Sequence, residues 1–169
     1  TLWSRIVCHT DALFEATEDL VDTFKAAVGQ IIAKLGSSEA EVEVLVGPLK
    51  DPVRCHEKAL DDYSDGAYLF CDDVPPEACV LDVIRGRIIF VSAEALILFQ
   101  VTLQQGCFEI VIEGQLVTFT LVRAKNKFHH AIDRDPTRFR NILNNLEMRV
   151  GDRTTFVEVQ LHHRAVLEY

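Results

Sequence analysis

From Leu13 and Phe14 the apolar positions continue through Leu20, Val21, Phe24, Ala27, Val28, Ile31, Ile32 and Leu35. That is the i, i+3, i+4, i+7 stripe of an amphipathic helix. Asp11 can cap it and Gly36 can end it, so the pattern predicts one continuous helix of about six turns at ~3.6 residues each. Val42-Glu43-Val44-Leu45-Val46 alternates as a half-buried strand does and stops at Gly47-Pro48. A second helix is predicted from Pro52 to about Tyr63, since proline is tolerated in a first turn. The acidic stretch Ser64 to Pro76 carries Ser-Asp-Gly and Pro-Pro and reads as loop.

Residues 86–91, Gly-Arg-Ile-Ile-Phe-Val, are short, β-branched and nearly all apolar, the signature of a central strand. Ser92 then caps a helix from Ala93 to about Gln104, closed by Gly106. Beyond it Glu113-Gly114 separates Cys107–Ile112 from Leu116–Lys125, and Gly151-Asp152 separates Phe139–Val150 from Thr154–His162, two hairpin signals. Helices cluster early and strands late. The expected fold class is α+β, a mixed β-sheet of about five strands flanked by helices. Residues 1–169 read as a single domain, with an N-terminal helix in 1–40 and a sheet-containing core in 42–169. The chain opens and closes inside patterned sequence, as a domain cut from a longer protein does.

Composition narrows the class. The 169 residues are 49% hydrophobic and 25% charged, which excludes disordered and collagen-like chains. Cys8, Cys55, Cys71, Cys79 and Cys107 are odd in number, widely spaced and without a CxxC, so neither a disulfide framework nor a zinc knuckle is implied and a reducing compartment fits. No run approaches the ~18–20 apolar residues of a membrane span, and the expected location is intracellular, the cytoplasm. A net charge of −9, from 17 Lys and Arg against 26 Asp and Glu, argues against duplex nucleic acid or an anionic membrane as partner.

Candidate chemistry sits on the strands. Val157, Val159 and Leu161 alternate with Phe156, Glu158, Gln160 and His162, one face core and one polar. A Glu in mid-sheet is costly to bury alone, so Glu158 needs a solvated groove or a cation. On the strand Leu116–Lys125, strict alternation gives Phe119, Leu121, Arg123 and Lys125 one face, with two cations near its end. Asp82 stands at the lip of the apolar strand, where a carboxylate can hold Mg²⁺ and where turn residues are also common. Asp82 and Glu158 with Lys50, Lys58, Arg123 and Lys125 would make a polyphosphate site. The alternative is a solvated sheet face with incidental ion pairs. The pairs His129-His130 and His162-His163 are not read as metal ligands, because strand neighbours point to opposite faces.

In order and spacing these residues resemble the synthetase domain of RelA/SpoT proteins, which transfers pyrophosphate from ATP to the 3′-hydroxyl of GDP or GTP. The family carries R-x-K-x-x-x-S-x-x-x-K, D-x-x-G-x-R before a strand, R-x-K near a strand end, G-Y-x-S-L-H, and E-x-Q on the last strand. Gly47 to Lys58 looks like the first motif, keeping Lys50 and Lys58; Asp82 and Arg87 match the second, Arg123 and Lys125 the third, Phe139 and Arg140 the fourth, Glu158 and Gln160 the last. The resemblance runs from about Val44 to the C-terminus. It implies Asp82 and Glu158 as catalytic and metal-holding carboxylates, with Lys50, Lys58, Arg87, Arg123, Lys125, Phe139, Arg140 and Gln160 binding nucleotide.

The departures fall on the residues that grip substrate. Pro48 replaces the first Arg, Arg54 the Ser, Arg85 the Gly of the second motif, Arg138 the Gly before the stacking Tyr, Phe139 that Tyr, and Leu143 the His. A Phe can still stack on a base, whereas Pro can neither stack as a guanidinium does nor chelate phosphate. The expectation is therefore a divergent RelA/SpoT-like domain with an eroded nucleotide site, a pseudoenzyme used as a structural or interaction module. The alternative is a Mg²⁺-dependent GTP/GDP pyrophosphokinase making guanosine tetraphosphate. Partners implied are ATP and GDP or GTP, and a protein or the remainder of the chain docking on the long stripe of the first helix.

Overall fold

The computed structural model describes residues 11–36, 41–63, 76–128 and 140–168. The predicted loop lies almost wholly outside them, as do His129, His130, Arg138 and Phe139. Two turns organise the late strands. Glu113 and Gly114 take φ of 49° and 81°, the pair a type I′ turn requires, and join β3 (Cys107–Ile112) to β4 (Gln115–Asn126). Gly151, at φ 57°, helps turn β5 (Ile142–Val150) into β6 (Arg153–His163). With β1 (Val42–Val46) and β2 (Ile84–Phe90) they form one six-stranded sheet, one strand more than expected, in the order β1-β2-β6-β5-β4-β3. Only β2 and β6 pair in parallel, so the sheet is mixed.

The first helix is not continuous. Residues 11–17 form α1, Glu18 and Asp19 turn, and α2 runs Leu20–Lys34. The Thr17 hydroxyl donates back to the carbonyls of Leu13 (2.9 Å) and Phe14 (3.2 Å), a bond that bends helices. Arg153 on β6 then takes the Ala16 carbonyl, which an unbroken helix would offer to residue 20, and the Asp19 carboxylate at 2.6 and 2.8 Å. The stripe does not face a partner either. Leu20, Phe24, Val28 and Ile31 are 4%, 0%, 3% and 2% exposed, buried by the sheet of the same chain, and this corrects the expectation of a docking surface there.

A fourth helix, α4 (Ala93–Gln105), is capped by Ser92, whose hydroxyl accepts from the Ala95 amide at 3.2 Å. Helices α2 and α4 share one core with the sheet. Phe24 meets Phe119 edge-on at 6.3 Å, and Phe99 packs on Phe90 and Phe108 at 5.7 and 6.2 Å. α3 (Pro52–Tyr63) starts with Asp51, whose carboxylate accepts from the Arg54 amide at 3.2 Å. Its Cys55 and Ala59 join Val80, Val83, Leu13 and Phe14 in a second cluster, which ties α3 to the segment entering β2. A short α5 (Arg164–Leu167) follows β6. No helix among the described residues is long and apolar enough to cross a membrane.

Candidate functional site

The core-facing residues of β5 and β6, Leu146, Met148, Val157, Val159 and Leu161, are buried, so their neighbours in sequence take the opposite face. Register then aligns that face in rows. Arg85 pairs with Glu158, Glu158 with Asn145, and Asn145 with Arg123. One step along, Leu45 pairs with Arg87, Arg87 with Gln160, Gln160 with Leu143, and Leu143 with Lys125. Neighbours within a row are about 4.8 Å apart, the spacing of hydrogen-bonded strands. Five predicted residues, Arg87, Arg123, Lys125, Glu158 and Gln160, thus share one face.

Strict alternation on β4 is wrong in one respect. Phe119 and Leu121 pair with Met148 and Leu146 on the core face, but the register shifts between Leu121 and Arg123. This β-bulge puts Val122 out of register and turns Arg123 and Lys125 to the polar face. Asn145, 3% exposed, was not singled out in the sequence because an Asn in an apolar strand carries no motif. Its Oδ1 accepts from Arg123 Nε at 3.0 Å and its Nδ2 donates to the Leu81 carbonyl at 3.4 Å. It thereby joins the rows to the segment that carries Asp82. Glu158 Oε1 accepts from Gln160 Nε2 at 2.7 Å.

The remaining predicted residues form a second group beside the rows. Lys50 Nζ and Lys58 Nζ both donate to the same oxygen of Asp82, Oδ2, at 2.7 and 3.1 Å. Lys50 is set there by its amide, which donates to the Val83 carbonyl at 2.9 Å, and Lys58 by the second turn of α3. Burial alone would raise the Asp82 pKa, but the Lys50 hydrogen bond and the charges of both lysines outweigh it and hold the carboxyl below its ordinary value. The other oxygen, Oδ1, is buried and has no hydrogen-bond partner among the described residues. Arg140 precedes β5 and is partly buried.

Two cavities meet at Arg85. One, of about 800 Å³, is lined by Lys50, Lys58, Arg54 and Arg85 and by four acids, Asp51, Glu57, Asp61 and Asp62. Its size is that of a drug-sized ligand site. The other, of about 280 Å³, is lined by Arg85, Arg87, Gln160, Leu45, Gly47 and Gly86, with no carboxylate among the described residues. Neither Arg85 nor Arg87 makes an ion pair among the described residues.

No family model and no curated protein matches the sequence. Solved structures do match the fold. Small alarmone synthetase 1 from Bacillus subtilis superposes with a TM-score of 0.63 at 14% identity, over 94% of this chain and 73% of that one. The same protein bound to its product pppGpp gives 0.59 at 12%, over 94% and 75%. A GTP pyrophosphokinase family protein from Streptococcus pneumoniae gives 0.58 at 11%, over 94% and 71%. The fold is that of the RelA/SpoT-type synthetases.

Within that RelA/SpoT-type fold the departures cluster in space. Pro48, Arg54 and Arg85 all line the larger cavity, and Leu143 lies between Gln160 and Lys125. The resemblance implies Mg²⁺ on Asp82 and Glu158, and the residues as arranged do not fit it. Mg²⁺ demands near-octahedral oxygens at about 2.0–2.1 Å. Asp82 Oδ2 already carries two ammonium groups, which would repel a divalent cation, and Oδ1 is out of reach of solvent. Among the described residues no group of three or more His, Cys, Asp or Glu could hold a metal. His162 is fully buried beside the rows, and burial together with the charge of Arg87 pushes its pKa down to about 4.

Proposed function

We propose that this chain is a divergent RelA/SpoT-like domain that does not transfer pyrophosphate and that acts as a structural or interaction module. The observation that carries the reading is the closed state of Asp82, with one oxygen held by Lys50 and Lys58 and the other buried. A carboxylate so committed has no site to offer a hydrated cation. The loss of the guanidinium at Pro48 supports the same reading, because that position faces the cavity large enough for a nucleoside. Each lost charge-assisted contact costs about 1.5–3 kcal/mol, so losing two weakens ATP affinity more than tenfold. Pro48→Arg with Arg54→Ser should recover it. Contact as the role is supported by α4, whose Ile97, Leu98 and Val101 are 57%, 50% and 37% exposed.

A second reading, a Mg²⁺-dependent transfer of pyrophosphate from ATP to GDP or GTP, is favoured by one observation. Glu158 stands between Arg85 and Asn145 in a row that ends on Arg123, as a carboxylate deprotonating a hydroxyl near phosphates would. That activity would require Lys50 and Lys58 to leave Asp82. A turnover assay with ATP, GDP or GTP and Mg²⁺ separates the readings. No product is expected from the unmodified chain; product formation abolished by Glu158→Gln would establish the enzyme.

A further inference from the structure

We propose that the row face binds a polyphosphate chain without a divalent metal, with Arg85 supplying together with Arg87 the positive charge that Mg²⁺ would bring. The inference rests on the reading of this face as an eroded nucleotide site and names the moiety it still holds.

Arg85 occupies the position of a motif glycine and, among the described residues, is the one that lines both cavities. On one side its strand partner is Glu158. On the other lies Gly47, whose amide donates to the Arg85 carbonyl at 3.1 Å. Among the described residues the smaller cavity is lined by two arginines, one amide side chain, one leucine and two glycines, without an acid. Two guanidiniums carry the charge of one Mg²⁺. They cannot be deprotonated, and each presents a planar fork of donors matched to phosphate oxygens. In the larger cavity four acids stand among the cations, whereas the described lining of the smaller one carries arginines alone as its charged groups. At about 280 Å³ it holds phosphates and not a nucleoside in addition. Asp82, the carboxylate that would recruit a metal, is already satisfied by lysines.

Titration calorimetry of the whole chain with GTP and with inorganic tripolyphosphate, each in EDTA and in Mg²⁺, tests this. Both should bind in EDTA, with affinity no more than about threefold below that in Mg²⁺. Arg85→Gly, which restores the motif glycine, should weaken binding in EDTA at least tenfold. Arg85→Gln, which keeps a side chain on the strand, should do the same with the thermal midpoint unchanged. Binding by the unmodified chain only in Mg²⁺ overturns the proposal, as does unaltered binding in EDTA by Arg85→Gln. Tripolyphosphate bound in EDTA as tightly as GTP upholds the arginine site and removes the nucleotide reading. Failure of both ligands to bind in either medium removes the two together.

Discussion

Arg123 donates through Nε to Oδ1 of Asn145 at 3.0 Å, although Leu121, two residues earlier on the same strand, pairs with Leu146 on the core side. The bulge between them is what makes both statements true. Without it the guanidinium would be driven into the packed core face of the sheet, and the basic end of β4 would not belong to the rows that contain Glu158 and Gln160.

Asn145 holds that arrangement by bonding to Arg123 on one side and the Leu81 carbonyl on the other. Asn145→Ala should therefore cost about 1–3 kcal/mol, the desolvation penalty of buried groups left unpaired. Urea unfolding followed by circular dichroism measures it. A midpoint equal to that of the unmodified protein would mean that water replaces both bonds.

Gly86 is fixed by contact, not by turn geometry. A Cβ there would lie 2.9 Å from Cε1 and 3.0 Å from Cζ of Phe24, a ring that is 0% exposed and packed edge-on against Phe119. Gly86→Ala should destabilise by about 1–3 kcal/mol, the range for overpacked cores. Adding Phe24→Leu should recover part of the loss. If the two substitutions prove additive in a double-mutant cycle, the clash is not the cause.

Much of the fold is legible in the sequence, because local signals and burial agree: Glu113-Gly114 and Gly151-Asp152 mark both hairpins, Ser92 caps α4, and Val42–Val46 alternates as it pairs. What alternation misses is set by distant residues. The break at Glu18-Asp19 depends on Arg153, 134 residues from Asp19, and the bulge after Leu121 answers to β5. The site was legible in kind and not in state. Motif order names Lys50, Lys58 and Asp82, but nothing in one sequence tells that the lysines grip the Asp carboxylate, nor that Arg85 faces two cavities.

His162 gives a pH dependence with a definite sign. Its pKa is 6.5 in the ordinary state and about 4 when folded, lowered first by burial and then by Arg87, with Gln160 Oε1 3.4 Å from Nε2. The unfolded chain therefore takes up a proton that the folded one refuses. Stability is full above about pH 6.5 and declines as pH falls toward about 4. The urea midpoint should drop between pH 7 and pH 5, and His162→Gln should show a smaller drop. A His162 ring resonance titrating near its ordinary pKa would contradict this.

Asp82 moves stability in the same direction over a lower pH range, and it separates the two roles assigned to it. Its folded pKa is lowered, so its contribution is full above the ordinary value of 3.8 and is lost as pH falls through the folded value. Asp82→Asn should cost about 1.5–3 kcal/mol at pH 7, the worth of hydrogen bonds to charged groups, and the difference from the unmodified chain should shrink below the ordinary carboxyl pKa. Removing the carboxylate also frees Lys50 and Lys58, both paired with it, and both line the larger cavity. Asp82→Asn should therefore tighten tripolyphosphate binding in EDTA. A carboxylate serving as a metal ligand predicts the reverse, a loss of binding confined to Mg²⁺, and the sign of the change decides which role Asp82 plays.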